Sequence, residues 1–127
     1  MKVIGNPISL PDGTAVPLSA GMETGDFVVL SGQLPIKNGE LVLGGIVEQT
    51  NAVIDNIEQL LVSASCSLDD VVKSTVWLTD AANFAAFNTV YGQRFTPPYP
   101  ARSTVVSGLL LGGAMLEIEV LAHKAVP

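Results

Sequence analysis

A single cysteine and a single histidine stand in a chain of 127 residues. Cys66 therefore has no partner for an intrachain disulfide, and with His123 it falls short of the four Cys/His ligands of a structural zinc site. Cations are scarce as well, 6 Lys and Arg against 12 Asp and Glu, for a formal net charge of -6. Nucleic acid is a poor partner for such a chain, because neutralising phosphates takes clustered Lys and Arg. Long apolar runs are missing too. The most hydrophobic stretch, Val105 to Leu116, is broken by Ser107, Gly108, Gly112 and Gly113 and ends at Glu117, too short and too interrupted for a membrane span. Met1 to Ile4 leads straight into Gly5-Asn6-Pro7 without the apolar segment of a secretory signal, so a soluble, cytoplasmic protein is expected. There is no GxSxG elbow, P-loop or GxGxxG, and with one imidazole a Ser-His-Asp or Cys-His arrangement within one chain is unsupported. Cys66, between two serines at a helix end, reads as a small buried hydrophobe rather than a reactive thiol.

What is present is apolar: 48% of the residues are hydrophobic and only 14% charged. In a small soluble domain that surplus is most simply buried between subunits, so a homo-oligomer is expected. No linker, repeat or composition break divides the chain, which reads as one domain over residues 1–127. Val16 to Ala20 and Phe27 to Leu30 predict a strand pair. From Ile46, apolar residues at Val53, Ile54, Ile57, Leu60, Leu61 and Ala64 follow helical spacing, and the helix should end near Ala64. Ser67 and Asp70 then cap a short turn, and Val71 to Leu78 predicts a strand buried on the Val72, Val76 and Leu78 side. Asp80 opens a second helix whose inner side carries Phe84, Phe87, Val90, Tyr91 and Phe95, until Thr96 to Pro100 stops it. Ala101 to Val106 and Met115 to His123 complete an order ββαβαββ with hairpins at both ends. An α+β sandwich follows, its mixed sheet covered by helices on one face only.

Two places carry chemistry. Arg102 lies in a strand of small and apolar neighbours and needs a carbonyl or anionic partner, either an acidic side chain of its own chain or the carboxylate of a ligand. Glu117 and Glu119 share one side of the last strand with Met115, Leu121 and His123. Such a pair is commonly a solvated face; lining a cleft, one of them would have a raised pKa suited to proton transfer or water positioning.

Pro100-Ala101-Arg102-Ser103-Thr104-Val105 and Leu116-Glu117-Ile118-Glu119 resemble the Rid (YjgF) family of reactive-intermediate deaminases. The resemblance extends over Gly25 through Ser31-Gly32-Gln33-Leu34-Pro35, Thr50 to Leu61, Val71 to Val76, Asn83-Phe84 to Asn88, and Tyr91. It implies a mixed six-stranded sheet with two helices on one face, the fold of bacillus-type chorismate mutase. It also implies a homotrimer whose sheets form a central barrel with a ligand cleft between each pair of subunits. The implied activity is hydrolysis of enamines and imines, such as 2-aminoacrylate and related 2-imino acids, to a 2-keto acid and ammonia, with no metal or cofactor. Carried over by motif, Arg102 clamps the substrate carboxylate, Glu117 orients or activates water, and Ser31, Gly32, Thr104 and Asn88 line the pocket. Leu18 stands where many deaminating members have tyrosine, and Thr104 where cysteine is frequent. Loss of the phenol makes that wall apolar, which bears on substrate range. The loop Leu109 to Gly113 lacks the proline usual after leucine. An imine carbon is already electrophilic, so a fork for the carboxylate and a positioned water suffice without a covalent nucleophile. The competing expectation is a non-catalytic trimer that binds small carboxylates. RNA cleavage, a third idea linked to the family, conflicts with the negative charge.

Overall fold

A computed structural model describes residues 1–125. Eight strands and two α-helices follow one another along the chain: β1 (Lys2–Ile4), β2 (Gly21–Thr24), β3 (Phe27–Leu30), β4 (Ile36–Lys37), β5 (Glu40–Leu41), α1 (Ile46–Ser63), β6 (Val71–Leu78), α2 (Phe84–Arg94), β7 (Ala101–Val106) and β8 (Leu116–His123). Six of the strands form one sheet in the order β1-β2-β3-β8-β6-β7, antiparallel except for β6 and β7, while β4 and β5 make a separate small hairpin. The sheet is therefore mixed and six-stranded, with both helices against one face.

β8 is the centre of this arrangement. Leu116, Ile118, Val120 and Ala122 alternate into the core, where they meet Val53, Ile54, Ile57 and Leu61 of α1 together with Val28, Leu30, Val76 and Leu78. The N-terminus of α1 is closed by Glu48, whose carboxylate accepts the Gly45 N–H at 2.8 Å. Buried Gln49 ties down the loop ahead of β8: its amide nitrogen donates to the carbonyls of Val42 (3.1 Å) and Gly113 (3.0 Å), and its oxygen accepts the Met115 N–H at 2.7 Å.

Several expectations need correction. The strand expected at Val16 to Ala20 lies at Gly21–Thr24 instead, because β3 pairs with the residues directly across its tight turn at Gly25, whose φ is +57°. β1, added on the outer side of β2, and the β4–β5 hairpin were not anticipated. Val72 is exposed, and Val71 takes its place in the core because the ladder to β8 shifts between Val71 and Lys73. β7 and β8 do not form a hairpin. The connection through α2 returns β7 parallel to β6 at the sheet edge, and the following loop is long enough to insert β8 between β3 and β6. Phe84 is exposed rather than internal. Cys66 is buried as expected, and desolvation raises its thiol pKa.

The second face of the sheet has no helix. Phe27 and Val29 on β3 and Val105 on β7 are 44%, 43% and 46% exposed on that side, beside half-buried Trp77 and Leu121. So much contiguous apolar surface is unusual for a face in contact with water.

Candidate active site

Register decides which site residues can meet. Arg102 stands opposite Ser74 of β6, and Thr104 opposite Val76, so both point toward the helices. Glu117 stands opposite Trp77, an odd number of residues from Ser74, and so points to the uncovered face. Within one chain the sheet separates Arg102 from Glu117, and the candidate residues fall into two groups.

The first group surrounds Arg102. Its Nη2 donates to Asn88 Oδ1 at 2.8 Å, and its guanidinium carbon lies 4.8, 5.4 and 5.8 Å from the ring centres of Tyr91, Phe87 and Phe84. Among the described residues the ion pairs are Arg94 with Asp55 and Glu58, and Lys124 with Glu23. Arg102 thus has one neutral acceptor and three aromatic rings but no acidic partner, and of the two readings open for it, the ion pair within its own chain is not made. A cleft of about 510 Å³ opens beside it, lined by Asn88, Tyr91, Gly92, Tyr99, Pro100 and Arg102. Asn88 therefore reaches this cleft while also holding one arm of the guanidinium. Tyr91 is anchored from behind, its hydroxyl sharing a buried 2.7 Å hydrogen bond with Ser74 and its ring stacked on Phe95 at 4.4 Å. Burial raises the Tyr91 pKa against the opposing effects of Ser74 and the Arg102 charge, so the phenol stays neutral.

The second group surrounds Glu117. Gly32 packs so tightly on this side chain that a Cβ built there would lie 1.9 Å from the Glu117 Oε2. Gln33 locks the segment to β8, its N–H donating to the Ile118 carbonyl at 2.7 Å and its carbonyl accepting the Ile118 N–H at 3.2 Å. Ser31 Oγ donates to the Ser19 carbonyl at 2.5 Å, which draws in the strand-flanking segment that carries exposed Leu18. A smaller cavity of about 190 Å³ adjoins Glu117, bounded by Trp77, Ser107, Gly108, Leu109 and Leu110. Desolvation, followed by repulsion from Glu119, holds the Glu117 carboxyl above its ordinary value. This carboxylate matches the cleft-lining alternative for the acidic pair rather than a fully solvated face.

The sequence reading missed Tyr91, Gly92, Tyr99 and Pro100 as cleft residues. Asn88, Tyr91 and Gly92 are spaced i, i+3 and i+4, one helix face, and that spacing was the available signal.

The profile of the family described as endoribonuclease L-PSP matches residues 11–124. The chain belongs to this family, the Rid family of the sequence resemblance. It is 43% identical over 110 residues to a RutC family protein of Pyrococcus abyssi, covering 85% of this chain and 87% of that one. The crystal structure of RidA from an Antarctic Psychrobacter superposes with a TM-score of 0.86 at 33% identity, covering 97% of this chain and 99% of the other. Escherichia coli TdcF with bound serine gives a TM-score of 0.85 at 31% identity, with 98% and 100% covered. This chain shares the Rid fold, with two helices on one face of the six-stranded sheet, with both of these solved structures. Among the described residues no helix is long and apolar enough to cross a membrane.

Proposed function

We propose that the protein hydrolyses 2-imino acids and their enamine tautomers, including 2-aminoacrylate, to 2-keto acids and ammonia, in a cleft shared by neighbouring subunits of a cytoplasmic homotrimer. The observation that carries this reading is the pair of half-sites: an arginine without an acidic partner beside an open cleft, and a desolvated glutamate on the opposite face of the same sheet. Juxtaposing the uncovered apolar face of one chain with the β7 edge of the next would unite them. The guanidinium then fixes the substrate carboxylate, and Glu117 takes a proton from water as the oxygen adds to the imine carbon. Protonation of nitrogen and collapse of the resulting carbinolamine break the C–N bond and release ammonia, without a covalent intermediate on the protein. A relative that holds serine, E. coli TdcF, supports a pocket for an amino-acid-like carboxylate.

Exposed Leu18, which offers no hydroxyl, favours the second reading, a trimer that binds small carboxylates without turnover. RNA cleavage, suggested by the family's description, finds no support in the site: the chain's charge is -6 and Arg94 and Lys124 are already paired.

The test is complementation. Arg102→Ala and Glu117→Gln chains are prepared separately, then mixed and reassembled, and keto-acid release is followed with a pyridoxal-phosphate dehydratase as the imine source. Each variant alone should be inactive and the mixture partly active, since one interface then unites an intact Arg102 with an intact Glu117. An inactive mixture of assembled chains refutes the shared cleft, and a wild-type protein that leaves the release rate unchanged refutes the deaminase.

A further inference from the structure

The cleft beside Arg102 is far larger than a three-carbon acid needs. Beyond the one cation and Asn88, its walls are Tyr91, Gly92, Tyr99 and Pro100, that is, aromatic rings, a proline ring and bare backbone. Exposed Tyr99 donates its hydroxyl to the Gly92 carbonyl at 3.4 Å, which ties the segment after α2 back to the helix.

Gly92 is the residue that packing leaves unexplained. It sits inside α2, where glycine destabilises a helix relative to alanine. Its backbone is ordinary helix rather than left-handed, and an added Cβ would meet only the Tyr99 hydroxyl, at 3.8 Å, an ordinary contact. Neither conformation nor packing within the chain requires glycine there. What its missing side chain does is leave the cleft open one helical turn beyond Asn88, next to the guanidinium.

We propose that Gly92 and Tyr99 are specificity-determining residues that bound a pocket for the substrate side chain, and that the protein prefers 2-imino acids with bulky apolar or aromatic side chains over 2-aminoacrylate. The inference rests on Arg102 as the carboxylate clamp. A carboxylate held there brings the substrate's side chain beside Tyr91, Gly92 and Tyr99, where no charged group stands to be desolvated and each buried methylene adds to transition-state binding.

Two measurements on wild type and Gly92→Leu test this. Turnover is compared for the imines of leucine and phenylalanine, made in situ by an amino-acid oxidase, and for 2-aminoacrylate made by a dehydratase. Binding of 4-methyl-2-oxopentanoate, phenylpyruvate and pyruvate is measured by calorimetry. Wild type should favour the bulky ligands by about ten-fold or more in both measurements, and Gly92→Leu should abolish that margin while changing the three-carbon ligands by less than about two-fold. Wild-type preference for the three-carbon ligands, or an equal loss for all ligands in Gly92→Leu, overturns the pocket. Selective binding without turnover would refute the deaminase reading and keep the pocket, whereas turnover without selectivity would do the reverse. Where Gly92→Leu fails to assemble, Tyr99→Ala replaces it: a lowered phenylpyruvate preference supports the proposal and an unchanged one overturns it.

Discussion

Replacing Arg102 by lysine keeps the charge and discards the fork, so the substitution isolates what the guanidinium contributes. One N–H of Nη2 is already committed, donating to Asn88 at 2.8 Å, which leaves its other N–H, with Nη1 or Nε beside it, to face a ligand. A carboxylate gripped by two parallel N–H donors would keep one after the change, and a charge-assisted hydrogen bond contributes about 1.5–3 kcal/mol. Lysine also gives up the planar packing against Tyr91, Phe87 and Phe84, a further loss of about 0.5–1 kcal/mol. Together these amount to about 2–4 kcal/mol, or roughly 30- to 1,000-fold in kcat/KM. Stability should change little, because Arg102 has no acidic partner to leave unpaired; a loss of about 1 kcal/mol lowers Tm by only about 3–6 °C. The assay is the dehydratase-coupled release of keto acid over a substrate range wide enough to separate KM from kcat, with a thermal melt of the same preparation. A folded Arg102→Lys variant that retains kcat/KM within about three-fold of wild type would remove the fork from the mechanism.

Three further outcomes follow from the same geometry. Burial and Glu119 hold the Glu117 carboxyl above its ordinary value, so its contribution to stability is full below pH 4.5 and is lost as pH rises through the raised value. Glu117→Gln should therefore raise Tm near pH 7 but not near pH 4, and the acid limb of wild-type kcat/KM should lie above the usual glutamate range; equal Tm differences at both pH values would contradict this. Gly32→Ala places a methyl where Glu117 Oε2 now lies, so it should displace the carboxylate and lower kcat with only a small fall in Tm; unchanged turnover would show that the carboxylate position is immaterial. Thr50 is fully buried with no hydrogen-bond partner for its hydroxyl, so Thr50→Val should stabilise by about 1–2 kcal/mol in denaturant unfolding, and a destabilised variant would reveal an unrecognised partner.

The long periodic elements were legible in the sequence, and so was the inward alternation of β8, because helix α1 and strand β8 each bury one continuous face. The rest depended on pairing partners that no local pattern reveals. Val71 and Val72 are equally good strand formers, and only the shifted ladder to β8 determines which one enters the core. β1 and the β4–β5 hairpin are too short to show a period. At the site, Arg102 and Glu117 were recognisable by residue type and motif, but their placement on opposite faces depends on β8 lying between β3 and β6, an order that adjacency along the chain does not suggest. Gly92 shares a helix face with Asn88 and Tyr91, but its residue type did not mark it as a cleft residue, since a glycine matters there for what it omits.

A sheet one residue thick stands between Arg102, the proposed holder of a substrate's acid end, and Glu117, the proposed base. In the proposed shared cleft a newly made chain drifting alone holds only two half-sites, however well folded, and competence arrives at encounter with its copies. On that proposal dilution should silence the protein without unfolding it, which would make cellular abundance a setting on its chemistry.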